Sequence, residues 1–189
     1  MNEIEKIKLV KEFNKTFGTE NQTLEQKKKY FDEELLEYWN GVQLCIHSKE
    51  KDNPEKALEK GYKEVLDALI DMKYVLFGIM IKEDIEPITI TNYIDNSIVN
   101  CDKYEDKRES FEFIEAYMEI DNYIQVNNII NYLLAEHGLL KHYDAAFIEV
   151  HNSNMSKLDV NGNVLRGQDN KILKSVTYFK PNLYKILGY

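Results

Sequence analysis

The chain has 189 residues, enough for one well-buried domain and too few for two. Its 24 basic and 33 acidic residues leave a net charge of -9, which excludes a whole-surface basic footprint for nucleic acid. A phosphate-bearing substrate is still compatible with that balance, because a bound metal ion inverts the local field. The longest apolar run, Tyr74 to Ile81, is far short of a membrane span. The opening MNEIEKIKLVKEFNK is charged throughout, unlike a signal peptide. A cytoplasmic protein with no membrane partner is therefore expected. Cys45 and Cys101, with no CxxC and no matching His spacing, read as reduced structural residues.

In chain order, Ile4, Ile7, Val10, Phe13 and Phe17 recur at helical spacing and stop at Gly18, a natural C-cap. Thr23 and Gln26 form a capping-box pair. After it, Tyr30, Phe31, Leu35, Tyr38, Trp39, Val42 and Ile46 line a second helix to about His47. A polar loop, SKEKDNPEK, follows, and Pro54 fits the first turn of a third helix reaching about Ile81. Ile85 to Lys107 is ambiguous, because PITITNYI alternates like a strand while Pro87 suits a helix start; a fourth helix is favoured, since an isolated strand would lack partners. Helical spacing returns from Glu109 to about Glu136 and ends near Gly138. A last helix spans Tyr143 to about Met155. Beyond Lys157, NGN and QDNK flanked by Val164, Leu165, Ile172 and Leu173 read as a hairpin. The fold expected is an all-α helical bundle with a short hairpin-like C-terminal tail.

The chemistry concentrates in helices two and three. Glu33, Glu34 and Glu37 in FDEELLEYW, and Glu64 and Asp67 in EVLDALIDMKYVLFG, lie at helical spacing inside apolar stretches, so each set shares one face. The second helix of the pair is apolar on most of its circumference, the signature of burial. Clustered carboxylates there need a cation, since an isolated buried charge is costly. Neither segment has an Arg, and Lys63 and Lys73 are too few to neutralise both patches. A hard divalent ion with oxygen ligands is the economical answer. The short loop makes the two helices antiparallel, which brings the patches face to face. Mg²⁺ fits best, with Mn²⁺ as a substitute; a di-iron centre would need Glu-x-x-His, which the chain lacks. Asp71 shares the stripe and stays ambiguous between ligand and supporting partner. Lys27 to Lys29 read as a solvated face, Trp39 as core, and His47, His137, His142 and His151 as structural or exposed.

The ExxE and ExxD pairs, 26 residues apart, resemble the all-α nucleoside triphosphate pyrophosphohydrolase superfamily, which includes MazG, dimeric dUTPases and phosphoribosyl-ATP pyrophosphohydrolase. A second block, AAFIEVHNSNMSKLDVNGNVLRGQDNKILKSVTYFKPNL, is similar to the C-terminal part of the phosphoribosyl-ATP pyrophosphohydrolase-like branch: VHxSNMSK, a glycine-containing hairpin, a lysine and an aromatic-Pro sequence. Between the blocks, about residues 83–141 form an inserted helical segment within a single domain spanning 1–189. The resemblance implies Mg²⁺ ligation by Glu33, Glu34, Glu37, Glu64 and Asp67, with Glu34 or Glu37 as general base. It also implies substrate contacts from Asn154 and Lys157, and it places Lys174 and Tyr178 near the pocket. The implied reaction cleaves a (d)NTP between the α and β phosphates to a monophosphate and pyrophosphate. A homodimer or dimer of dimers is implied as well. The alternatives are a non-catalytic nucleotide- or partner-binding protein on the same scaffold, or the same chemistry on phosphoribosyl-ATP or a guanosine alarmone.

Overall fold

In the computed structural model, which describes residues 1–85, 108–168 and 171–189, the chain is all-α. Helix α1 spans Glu3–Phe17, α2 Leu24–Ile46, α3 Pro54–Lys82, α4 Arg108–Glu119, α5 Tyr123–Glu136, α6 Tyr143–Met155 and α7 Leu183–Leu187. Local chemistry sets most of these bounds. Asn2 and Thr23 each build a capping box, with Glu5 and Gln26 respectively. Gly18, at φ 62°, closes α1 in the left-handed region, where a residue without Cβ carries no steric penalty. Asn53 caps α3, and Pro54 occupies its first turn.

Helix α3 is the axis of the molecule: α1, α2, α5, α6 and α7 all pack on it. Its apolar residues, including Val65, Leu66, Leu69, Ile70, Met72, Leu76 and Phe77, are fully buried. The closest pairing is α2 against α3, and it is antiparallel: Lys27 lies by Gly78, Gly41 by Val65, and Cys45 by Gly61. Two glycines permit that approach. A Cβ at Gly41 would meet the Val65 backbone N at 2.9 Å, and one at Gly61 would meet the Cys45 backbone N at 2.9 Å. Ile114, Met118, Val126, Ile130 and Leu133 from α4 and α5 belong to the same hydrophobic core as α1 to α3. Trp39 packs against that core, tilted on Phe111, as expected.

Several expectations need correction. The helical stretch from Glu109 to Glu136 is two helices, because Asp121 takes φ 58° and Asn122 starts α5 by capping the Gln125 N–H. The tail has two isolated antiparallel bridges, Leu158 with Val164 and Arg166 with Ile172, and no extended strand among the described residues. The segment Tyr143–Met155 is not the last helix, since α7 follows, with Leu183 buried and Asn182 as its cap. The tail is tethered to the end of α6 by hydroxyls: Ser153 Oγ donates to the Phe179 carbonyl (2.8 Å), and Ser156 Oγ accepts from the Phe179 N–H (3.1 Å). Ser175 Oγ donates to the Leu158 carbonyl at 2.6 Å. The fourth helix expected between Ile85 and Lys107 lies outside the described residues apart from Ile85 itself. Among the described residues no helix is long and apolar enough to cross a membrane.

Candidate functional site

Helical spacing carries one stripe of α2 into a cleft: Lys27, Tyr30, Glu34 and Glu37 follow one another at three- or four-residue steps. The facing stripe of α3 is Glu64, Asp67, Asp71, Tyr74 or Val75, and Gly78. Because the helices run antiparallel, the cleft is graded. Glu37, Glu64 and Asp67 stand at one end, Glu34 and Asp71 in the middle, and Lys27 and Gly78 at the other. The C-terminal part of α6 and the tail roof it with Asn154, Lys157 and Lys174. The space divides into two chambers of about 450 and about 770 Å³ that share Glu34, Glu37, Asp71, Asn154, Lys157 and Lys174. Each is large enough for a small-molecule ligand.

The acidic side chains perturb one another. Burial pushes the Glu34 carboxyl up to about 7, and the nearby Glu37, Asp67 and Glu33 charges push the same way, with Lys157 opposing. Asp71 is raised well above the usual carboxylate range, by burial first and then by Glu34 and Asp67. Glu37 is raised by partial burial and by Asp67 and Glu64. Lys63 holds the far end: its Nζ bonds Asp67 Oδ2 at 2.6 Å and lies 3.4 Å from Glu64 Oε2. Burial works against the Lys63 charge, but those two carboxylates outweigh it and raise its pKa. On the roof, Lys157 Nζ donates to Asn154 Oδ1 at 2.6 Å. Burial and the charges of Lys174 and Lys171 lower the Lys157 pKa, while Asp71 and Glu34 resist. Lys174 Nζ sits 4.7 Å from the centre of the Tyr178 ring.

The structure thus brings Glu33, Glu34, Glu37, Glu64, Asp67, Asn154, Lys157, Lys174 and Tyr178 to the walls of one cleft. It does not draw them into a finished ligand shell: among the described residues no three His, Cys, Asp or Glu side chains are gathered as a preformed metal-binding group. The donor chemistry nevertheless fits a hard divalent cation, since oxygen ligands cluster, repel one another and are only partly offset by lysines. Asp71, left ambiguous by spacing, lies at the centre and lines both chambers.

Two lysines read differently from expectation. Lys73 serves neither acidic patch; it is fully buried, bonded to Asn127 Oδ1 at 2.5 Å and 3.7 Å from Glu3 Oε2. In the lysine run, Lys29 is exposed and Lys28 bonds Asp121 and the Met118 carbonyl, whereas Lys27 is 5 % exposed and lines the cleft. The signal that could have found Lys27 is its seven-residue interval to Glu34, which keeps both on one helix face. His151 bonds the Tyr74 hydroxyl at 2.9 Å and His137 the Tyr38 hydroxyl at 3.1 Å, both structural roles. Compared with protein-family models, curated proteins and solved structures, the chain finds no match.

Proposed function

We propose that the chain is an Mg²⁺-dependent nucleoside triphosphate pyrophosphohydrolase that cleaves between the α and β phosphates, in the manner of the all-α superfamily its motifs resemble. The observation that carries this reading is the graded cleft, with carboxylates from two facing helices opposite the roof lysines Lys157 and Lys174. Glu33, Glu34, Glu37, Glu64 and Asp67 would hold the metal, with Asp71 beside them. Bound Mg²⁺ supplies charge neutralisation on the phosphate oxygens. The lysines hold the triphosphate from the opposite side, and the Asn154 amide oxygen keeps Lys157 aimed across the cleft. Water attacks the α phosphorus, and its proton passes to a carboxylate as the bond to pyrophosphate breaks. Glu34 or Glu37, neighbours one turn apart on the cleft wall, would accept that proton, whichever of the two the metal leaves free. Mn²⁺ is an oxygen-compatible substitute.

A second reading, nucleotide binding without turnover, draws support from Lys63, whose bonds to Asp67 and Glu64 occupy two of the ligands. The deciding experiment is pyrophosphate release from a panel of NTPs and dNTPs with Mg²⁺, with Mn²⁺ and with EDTA, alongside Glu64→Gln and Glu37→Gln. Metal-dependent release from some of the panel, lost in both variants while helical content is kept, supports the enzyme. Binding without release across the panel moves the assignment to the second reading.

A further inference from the structure

The end of the cleft away from the acids has its own chemistry. Lys27 is 95 % buried, yet it has no carboxylate or hydrogen-bond partner among the described residues. Burial and the like charge of Lys82 both lower its pKa. The ammonium opens onto the cleft, so a ligand acceptor seated there would take the place of water as its partner. Its Nζ points at Gly78: a Cβ there would lie 3.5 Å from Lys27 Nζ and 3.9 Å from Asn14 Nδ2. Asn14 is also buried, and its Oδ1 is engaged by the Thr19 hydroxyl at 2.7 Å, which leaves Nδ2 as the group turned towards the gap. Two donors therefore converge on the space that the missing side chain of Gly78 leaves open. Aromatic faces enclose it: Phe13 stands edge-on to Tyr74 at 5.5 Å, and Tyr30 lines the same chamber. Flat walls plus converging donors suit a flat heterocycle that presents an acceptor.

We infer that this chamber is a nucleobase pocket in which Lys27 Nζ and Asn14 Nδ2 donate to a ring carbonyl seated over Gly78. It takes nucleotides whose base is a 6-oxopurine or a 4-oxopyrimidine and rejects the 6-amino and 4-amino counterparts. An exocyclic amino group would set N–H against ammonium and amide donors and leave Lys27 unsatisfied, the kind of mismatch a polar site discriminates strongly. The inference rests on the proposed pyrophosphohydrolase reading only for the direction of the nucleotide, with phosphates at the Glu37 and Asp67 end. Lys27 to Glu34 is seven residues of helix, roughly 10 Å, which leaves room for a ribose between base and phosphates.

The test is calorimetric binding of the α,β-imido analogues of dUTP, dGTP, dCTP and dATP to the full chain with Mg²⁺, so that turnover plays no part. The oxo-base analogues are expected to bind at least about tenfold tighter than the amino-base ones, as a hydrogen bond to a charged donor implies. Lys27→Met should erase the difference while leaving pyrophosphate affinity unchanged. Gly78→Ala guards against misfolding of that variant. Its methyl meets only ordinary contacts and favours helix, so the melting temperature should rise while it fills the acceptor position and weakens the oxo-base analogues. Equal affinity for all four analogues, no binding of any, or an unchanged profile in Gly78→Ala overturns the pocket. Base preference without pyrophosphate release from the natural nucleotides would overturn the reaction instead and leave the pocket standing.

Discussion

Glu34→Gln should make the metal-free protein more stable, and only where the carboxylate is ionised. Burial and neighbouring carboxylates lift the Glu34 pKa from 4.5 to about 7. Below pH 4.5 both folded and unfolded chains carry the proton, and the site contributes nothing. Between 4.5 and 7 the unfolded chain has lost the proton that the folded one keeps, so stability falls as pH rises. Above 7 the full cost is present, at most about 3 kcal/mol. Gln keeps the shape and cannot ionise, so it removes that cost. For a chain of this size the gain corresponds to roughly 6 °C or more in melting temperature. The assay is thermal unfolding in EDTA at pH 8 and at pH 4.5, followed by the same melts with Mg²⁺. The variant should melt higher at pH 8, with the advantage gone at pH 4.5. Mg²⁺ should then raise the wild-type midpoint more than the variant's, because a ligand stabilises only the state that binds it. A variant melting at or below wild type at pH 8 in EDTA would refute the claim that these carboxylates strain one another in the fold.

Gly61→Ala drives a Cβ to within 2.9 Å of the Cys45 backbone N and against its Sγ, so α2 and α3 must separate; a loss of about 1–3 kcal/mol in urea unfolding is expected. Gly78→Ala, on the same helix, should shift stability the opposite way. Lys73 gives a distinct pH window: burial lowers its pKa to about 8 against the influence of Glu3, so between pH 8 and 10 the unfolded chain holds a proton the folded one has released. Stability should rise across that interval by on the order of 2 kcal/mol. Above pH 10 it should fall, because burial raises the hydroxyls of Tyr38, Tyr74 and Tyr143 and keeps them protonated in the fold. Urea midpoints at pH 7.5, 9, 10 and 11, with Lys73→Met reducing the rise to the part that the lowered Lys27 and Lys157 contribute, check this.

The helix starts and stops that local chemistry dictates were legible. The Thr23 cap, Pro54 and Gly18 act within a turn of their own position, so no tertiary knowledge is needed to read them; the Asn2 and Asn53 caps, equally local, went unread. The acid stripes were legible for the same reason, since a three- or four-residue interval fixes a helix face. The break at Asp121 was missed because the apolar spacing runs on either side of it; the Asp-Asn pair was the available signal, and its αL residue is stabilised by Lys28 and Tyr123 bonding to Asp121 Oδ1. The burial of Lys73 and of Lys27 was not legible, because a lysine's burial depends on what another helix sets against it. Asn127 and Glu3 receive Lys73, and the α1 to α2 corner closes over Lys27. Nor does sequence spacing reveal that Lys63 is already committed to Asp67 and Glu64.

What orders the cleft is the register between α2 and α3 rather than either helix alone. Lys27 beside Gly78 and Gly41 beside Val65 are separated by 14 and 13 residues on the two helices, so both stripes stay in phase along the shared face. Gly41 and Gly61 hold that register, because at both the facing backbone comes close enough for an added Cβ to collide with it. A single inserted residue between Asp71 and Gly78 would rotate everything beyond it by about 100° and take Gly78 off the stripe. The acid end and the Lys27 end would then no longer face one channel, although every residue of both would still be present. The two ends are therefore one site for as long as the helix pair keeps its spacing.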